Sequence, residues 1–148
     1  MNIWKIHKTK MFICFCFIFL PLLIGLLYYV LLAPETIVSK TFSQIFRIDF
    51  SFQLTSSFSN LCRNYLSDIC WAIALVNALI LAIGTTKEQS IISFVVATIF
   101  CIFIELAQWF GIINGTFDYW DILIELVSVI ISWFITTKIW RSKNEKTS

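Results

Sequence analysis

Glu105 and Gln108, followed by Asp118, Asp121 and Glu125, fall within one short hydrophobic hairpin, "IELAQWFGIINGTFDYWDILIELVSVIIS". Asp68 joins them from an earlier segment, with Arg63 and Asn64 just before it. Carboxyls gathered this way can do two kinds of work. A close pair can share a proton, setting an acid beside a base as in a proton relay or a general acid–base pair. Carboxylate oxygens can instead ligate a hard divalent cation such as Mg²⁺ or Ca²⁺. Arg63 is placed to fold in and pair with one of them.

The surroundings sharpen the question. The chain of 148 residues is 59% hydrophobic and 14% charged, with a mean hydropathy of +0.85. Soluble domains carry about 25% charged residues, so this one lacks the polar surface for a fully wetted exterior. A carboxylate at a membrane helix centre costs about 2.5–3.5 kcal/mol. Of the 9 acids, Asp68, Glu105, Asp118, Asp121 and Glu125 lie in or at the ends of apolar runs, where chance scatter would not put them. An acid retained at that cost marks a candidate functional site.

Four runs suit the roughly 20 apolar residues that a bilayer core requires. They cover residues 11–33, 66–84, 90–113 and 117–137. Helices are expected, because an open sheet leaves backbone groups unpaired in hydrocarbon. The runs are continuous rather than alternating, which excludes a barrel. The expected fold is therefore all-α, an integral membrane four-helix bundle forming a single domain over residues 1–148. The first run is too long for a cleaved signal peptide and reads as a retained anchor, with a kink at Pro21.

Lys and Arg counts set the orientation. Lys5, Lys8 and Lys10, then Lys87, then Lys138, Arg141, Lys143 and Lys146 lie on one side. Lys40, Arg47 and Arg63 lie on the other. Both termini are expected in the cytoplasm, with the 34–65 loop and the "NGT" turn outside. Trp4, Trp109, Trp120 and Trp140 fall near span ends, as an aromatic belt requires. In the outer loop, Phe42, Ile45 and Phe46 fit one helical face, whereas Ile48, Phe50, Phe52 and Leu54 alternate with polar residues. Such a loop suits a lid on the helix ends, or a substrate gate.

Depth can be read from the turn. Glu105 lies eight residues before Ile113 and Glu125 eight after Phe117, each roughly 12 Å deep at about 1.5 Å per residue. Antiparallel neighbours place them at one level. Gln108 shares a face with Glu105, and Asp118, Asp121 and Glu125 share another. Asp118 also suits the positive end of the last helix dipole. The geometry implied is an acidic pocket, open outward, among the second, third and fourth helices. The architectural alternative has the acids hydrogen-bonded to Gln108, Asn77, Tyr65 and Tyr119, fastening the bundle and doing no chemistry.

Other chemistry finds less support. Cys14, Cys16, Cys70 and Cys101 lie in spans, where Cys acts as a small hydrophobe, and Cys62 alone supports no disulfide framework. His7 is the only histidine, which argues against a zinc site. No Ser, Cys or His nucleophile constellation is present, so no catalytic residue is assigned. The basic tail is explained by orientation rather than nucleic acid. "NGT" matches a glycosylation sequon, but in a tight turn against the membrane.

The segments "RNYLSDICWAIAL" and "IELAQWFGIINGTFDYWDILIELVSVIIS" resemble the VanZ-like family of small bacterial membrane proteins. The matching elements are Asp68 opening one span, Glu105 with Gln108 on the next, and Gly115, Thr116, Asp118 and Asp121 opening the last. The likeness covers roughly residues 60–135. Ile69 and Ala72 stand where many members carry Lys and His, Glu125 stands where Asn is common, and the arginine many members have between Glu-x-x-Gln and the turn is missing. The resemblance implies a multi-pass protein of the bacterial inner membrane, a cell-envelope role and a link to glycopeptide resistance. It implies no reaction.

Three functions follow. The acidic pocket binds a lipid-linked or cell-wall-derived ligand, with or without a divalent cation. Alternatively, Glu105, Glu125 or Asp121 serve as acid and base in an enzyme acting on such a lipid. Alternatively, the chain is a small proton-coupled transporter, which with four helices would need to dimerise.

Overall fold

The computed structural model describes residue 8 and residues 10–32, 37–47, 57–113 and 117–145, with side chains 29, 31–32, 37–39, 57–64 and 143–145 excepted. All regular structure among them is helical. A π-helical turn, Cys14–Phe19, runs into α1, Leu20–Leu32. Then come α2, Ile37–Phe46; α3, Ser57–Ile83; α4, Lys87–Trp109; and α5, Tyr119–Glu145. Four stretches are long and apolar enough to cross a membrane: Lys10–Tyr28, Tyr65–Ile83, Lys87–Trp109 and Tyr119–Ser142. The chain is thus a multi-pass membrane protein in type.

Large apolar side chains point outward along these spans, among them Ile99, Phe103, Ile131 and Phe134. In water they would form an aggregating surface. In a bilayer they meet hydrocarbon. The interior is made of smaller groups. Ala72, Val76 and Ile80 lie on one face of α3 and meet Ala97 and Cys101 of α4 and Val129 of α5. Small residues let helix backbones approach, which is the main source of helix association in lipid. α3 is the hub: it packs against α1, α4 and α5. At Gly25 of α1, an added Cβ would come within 3.4 Å of Cys70 Cβ on α3.

The element boundaries differ from the expected spans at informative places. Just before Pro21, where a kink is expected, lies the π-helical turn, closed by a bond from Leu20 N–H to Phe15 O. Proline has no N–H to give and its ring crowds the carbonyl four residues back, so a widened turn there relieves both. α3 begins at Ser57, well inside the segment read as outer loop. At about 1.5 Å per residue it is longer than a hydrocarbon core of about 30 Å, and the apolar stretch within it begins at Tyr65. Residues 37–46 form the helix suggested by Phe42, Ile45 and Phe46, and Phe42 stacks on Phe46 with ring centroids 4.5 Å apart. The alternating 48–54 segment, the 114–116 turn and Trp4 lie outside the described residues. Trp140 is a correction to the aromatic belt: it is buried, with Nε1 lacking a partner among the described residues. Trp109 and Trp120 are exposed at the end of the bundle that carries the acids.

Candidate functional site

α4 stops abruptly after Trp109, and this stop positions the acids. Gly111 adopts a left-handed φ of 68°. Gly111 N–H then reaches Gln108 O at 2.9 Å and Ile112 N–H reaches Ala107 O at 2.8 Å. This is the paired-bond ending that glycine permits without strain, because it has no Cβ to clash. The chain returns as α5, whose cap is Asp118: its Oδ1 accepts from Trp120 N–H at 2.9 Å. Asp118 is thus one residue outside the helix rather than in its first turn, and one of its oxygens is already engaged. Its backbone N–H lies toward the Glu105 carboxyl.

The expected carboxyls come together. Asp68 from α3 interacts electrostatically with Asp121 and Glu105, and Glu125 with Asp68 and Glu105. Glu105 in turn interacts with Asp121 and Asp118. Tyr65, one turn before Asp68, sits near Asp118 and Asp121. Asp68, Gln108, Asp118 and Asp121 are half-buried. Glu105 and Glu125 are deep, at 4% and 1% exposure. The side chain of Arg63 lies outside the described residues. Among the described residues, the groups acting on the four carboxyls Asp68, Glu105, Asp121 and Glu125 are one another, Asp118, Trp71 and Cys101, with no Lys or Arg.

Two partners escaped the sequence reading. Trp71 Nε1 donates to Glu125 Oε1 at 2.8 Å. The Cys101 side chain, one turn from Glu105, lies close to the Glu125 carboxyl, so Cys101 is more than a small hydrophobe. Both sit at helical spacing from acids, Trp71 at i+3 from Asp68 and Cys101 at i−4 from Glu105, which is the signal that could have found them. Satisfaction stops there. Among the described residues, Glu105 Oε2 and Glu125 Oε2 are buried without a hydrogen-bond partner. Leaving a buried acceptor unpaired costs about 1–3 kcal/mol, more for a charged group. Among the described residues no three His, Cys, Asp or Glu side chains converge as a metal site.

The architectural alternative assigned Asn77 and Tyr119 to these acids, and the structure sends both elsewhere. Tyr119 is exposed and packs edge-on against Phe117. Asn77 is fully buried deeper in the bundle. Its Nδ2 donates to Ser132 Oγ at 2.6 Å and to Ile73 O at 2.7 Å, and its Oδ1 accepts from Thr136 Oγ1 at 2.5 Å. Asp121, Glu125, Ser128, Ser132 and Thr136 therefore form one inward polar stripe on α5, spaced by four, three, four and four residues. Its two halves differ. The half with Asn77 is internally paired. The half with the glutamates has acceptors to spare.

Beside the acids runs a cavity of ≈ 430 Å³ between the π-helical turn, α3 and α5. Phe17, Ile69, Ile73, Leu123, Ile131 and Ile135 form its apolar walls, with Ser128 and Ser132 on the α5 side. Ile69 follows Asp68 and Ile124 precedes Glu125, so the cavity starts at the level of the acids. From Leu123 to Ile135 it follows α5 for roughly 18 Å, at about 1.5 Å per residue. Its volume falls within the ligand-pocket range of about 300–1,000 Å³. No family model, curated protein or solved structure matches this chain.

Proposed function

We propose that this chain is a VanZ-like protein of the bacterial inner membrane that binds the polar end of a lipid-linked or cell-wall-derived ligand in its acid pocket. Both tails are cytoplasmic in this reading, and the pocket opens toward the envelope. The link to glycopeptide resistance comes from the resemblance of the Asp68, Glu105–Gln108 and Asp118–Asp121 elements. The observation that carries the binding reading is that Glu105 Oε2 and Glu125 Oε2, in the bundle interior, have no partner among the described residues. A purely architectural polar cluster would pair its acceptors, as Asn77, Ser132 and Thr136 do.

An acid–base enzyme would use the same groups, and the half-buried Asp68 and Asp121 beside the deep glutamates favour it as the second reading. A through-membrane carrier draws less support, because the Asn77 network ends the polar stripe with its groups engaged with one another. Lipid mass spectrometry on the purified protein tests the proposal. An isoprenoid or glycolipid enriched over the bulk membrane is expected, and its turnover would shift the reading to the enzyme. A lipid profile identical to the surrounding membrane would sink it.

A further inference from the structure

α3, α4 and α5 pack on one another, whereas the first span, among the described residues, packs closely on α3 but not on α4 or α5. A cleft of ≈ 430 Å³ is left between the π-helical turn and α5, floored by α3. Phe17 forms one wall, Ile69 and Ile73 the floor, and α5 from Leu123 to Ile135 the other wall. Leu123, Ile131 and Ile135 line the cleft and are also exposed. The cleft therefore opens sideways onto the surface that meets lipid. None of its lining residues is charged, and neither the acids nor any residue of α4 borders it.

Position and size limit what fills it. Every lining residue falls within a stretch apolar enough to cross a membrane. Water finds no partner there: Ser128 Oγ donates to Ile124 O at 2.7 Å, and Ser132 Oγ accepts from Asn77 Nδ2. An empty space forfeits the dispersion contacts of its lining. A helix with its side chains is about 10–12 Å across, so roughly 18 Å of one occupies about 1,400 Å³ or more, far beyond the cleft. A helix of a second copy is thus too thick to enter, and a single hydrocarbon chain is not.

The length agrees. The cleft begins four residues into its spans on α3 and α5, at Ile69 after Tyr65 and at Leu123 after Tyr119. It follows α5 for roughly 18 Å, at about 1.5 Å per residue. One leaflet of a hydrocarbon core of about 30 Å is roughly 15 Å thick. A lipid chain entering from the acid-bearing end has about the reach the cleft offers.

We infer that this cleft holds one acyl chain of a bilayer phospholipid, inserted between the first span and α5. Nothing polar in the cleft selects a headgroup, so the chain alone is recognised. Phospholipid, the most abundant source of such chains in a membrane, takes the place by mass action. Its chain adds packing contacts between the first span and α5, the kind of contact that holds helices together in lipid.

The experiment reconstitutes the full chain in equal amounts of phosphatidylcholine and phosphatidylglycerol with the same acyl chains. The protein is re-extracted in detergent and read by native mass spectrometry. A single retained phospholipid per chain is expected, with either headgroup. Ile73→Trp and Ile131→Trp fill the cleft from α3 and from α5, and each should lose the phospholipid. If one of them fails to fold, the other reads the same cleft. Ile99→Trp, on the lipid-facing side of α4, should keep it, as should Glu105→Gln with Glu125→Gln. No retained phospholipid on the wild type, or retention in the filled variants, overturns the assignment. Loss in Ile99→Trp overturns it too, since the signal then reports the general lipid shell. Retention of one headgroup only would mean that the head, not the chain, is recognised. A dimer free of phospholipid would give the cleft to a second copy.

Discussion

Trp71 on α3 and Glu125 on α5 are joined by a 2.8 Å bond from the indole Nε1–H to Oε1, while Oε2 of the same carboxyl is buried with no partner among the described residues. One carboxyl is thus half anchored and half available. The indole fixes where Glu125 points, and the second oxygen is left to meet something else. Glu105, across from it on α4, repeats the pattern with an unpaired Oε2 of its own.

Trp71→Phe removes the anchoring donor and keeps the ring. It should destabilise the protein by about 1–3 kcal/mol through the orphaned acceptor. Glu125→Gln still offers an oxygen to the indole and should cost less. Unfolding by SDS titration, run as a double-mutant cycle, checks both. Equal losses for the two single variants would mean that the bond does not orient the carboxyl.

Asn77→Leu breaks the bonds to Ser132 and Thr136 in the other half of the bundle. Interhelical polar contacts in membranes contribute about 0.6–2 kcal/mol, and a loss of that size is expected. Ligand retention should be unchanged, since nothing in this network is left over for a ligand. A variant that unfolds no sooner but loses ligand would exchange the roles of the two polar regions.

The acids were legible in the sequence because carboxyls are conspicuous against hydrocarbon, and helical spacing with a tight turn was enough to group them. Their partners were not. Trp71 and Cys101 use the same letters as lipid-facing and core residues, and only the packing of three helices shows which way they turn. Asn77 was visible as polar, but its depth relative to Ser132 and Thr136 depends on how α3 and α5 align. The start of α3 at Ser57 was hidden by the serine-rich approach, which reads as loop although it continues a helix. The cavity is a product of tertiary packing and has no local signature.

Gly111→Ala should cost about 1–2 kcal/mol, because its left-handed backbone disfavours any Cβ. Gly111→Asn should cost less, as asparagine tolerates that conformation. Asp118→Ala should remove the α5 cap at about 0.5–2 kcal/mol and speed amide exchange at Trp120, whereas Asp118→Asn should preserve both. Unaltered exchange in Asp118→Ala would show that the cap does not hold the start of the helix.

Orientation can be tested with single cysteines on a cysteine-free background. Ile112→Cys lies exposed at the acid end and Lys87→Cys exposed at the other. A membrane-impermeant thiol reagent should label Ile112→Cys in intact cells and Lys87→Cys only after lysis. The reverse pattern would turn the pocket toward the cytoplasm.

The central claim is that the unpaired glutamates, and not the paired Asn77 network, hold the ligand. Native mass spectrometry of protein released from its own membrane reads ligand occupancy directly. Wild type and Asn77→Leu should carry the same bound ligand, and Glu105→Gln with Glu125→Gln should carry none of it while remaining inserted. Full occupancy in the glutamine pair, or loss in Asn77→Leu alone, would contradict the account.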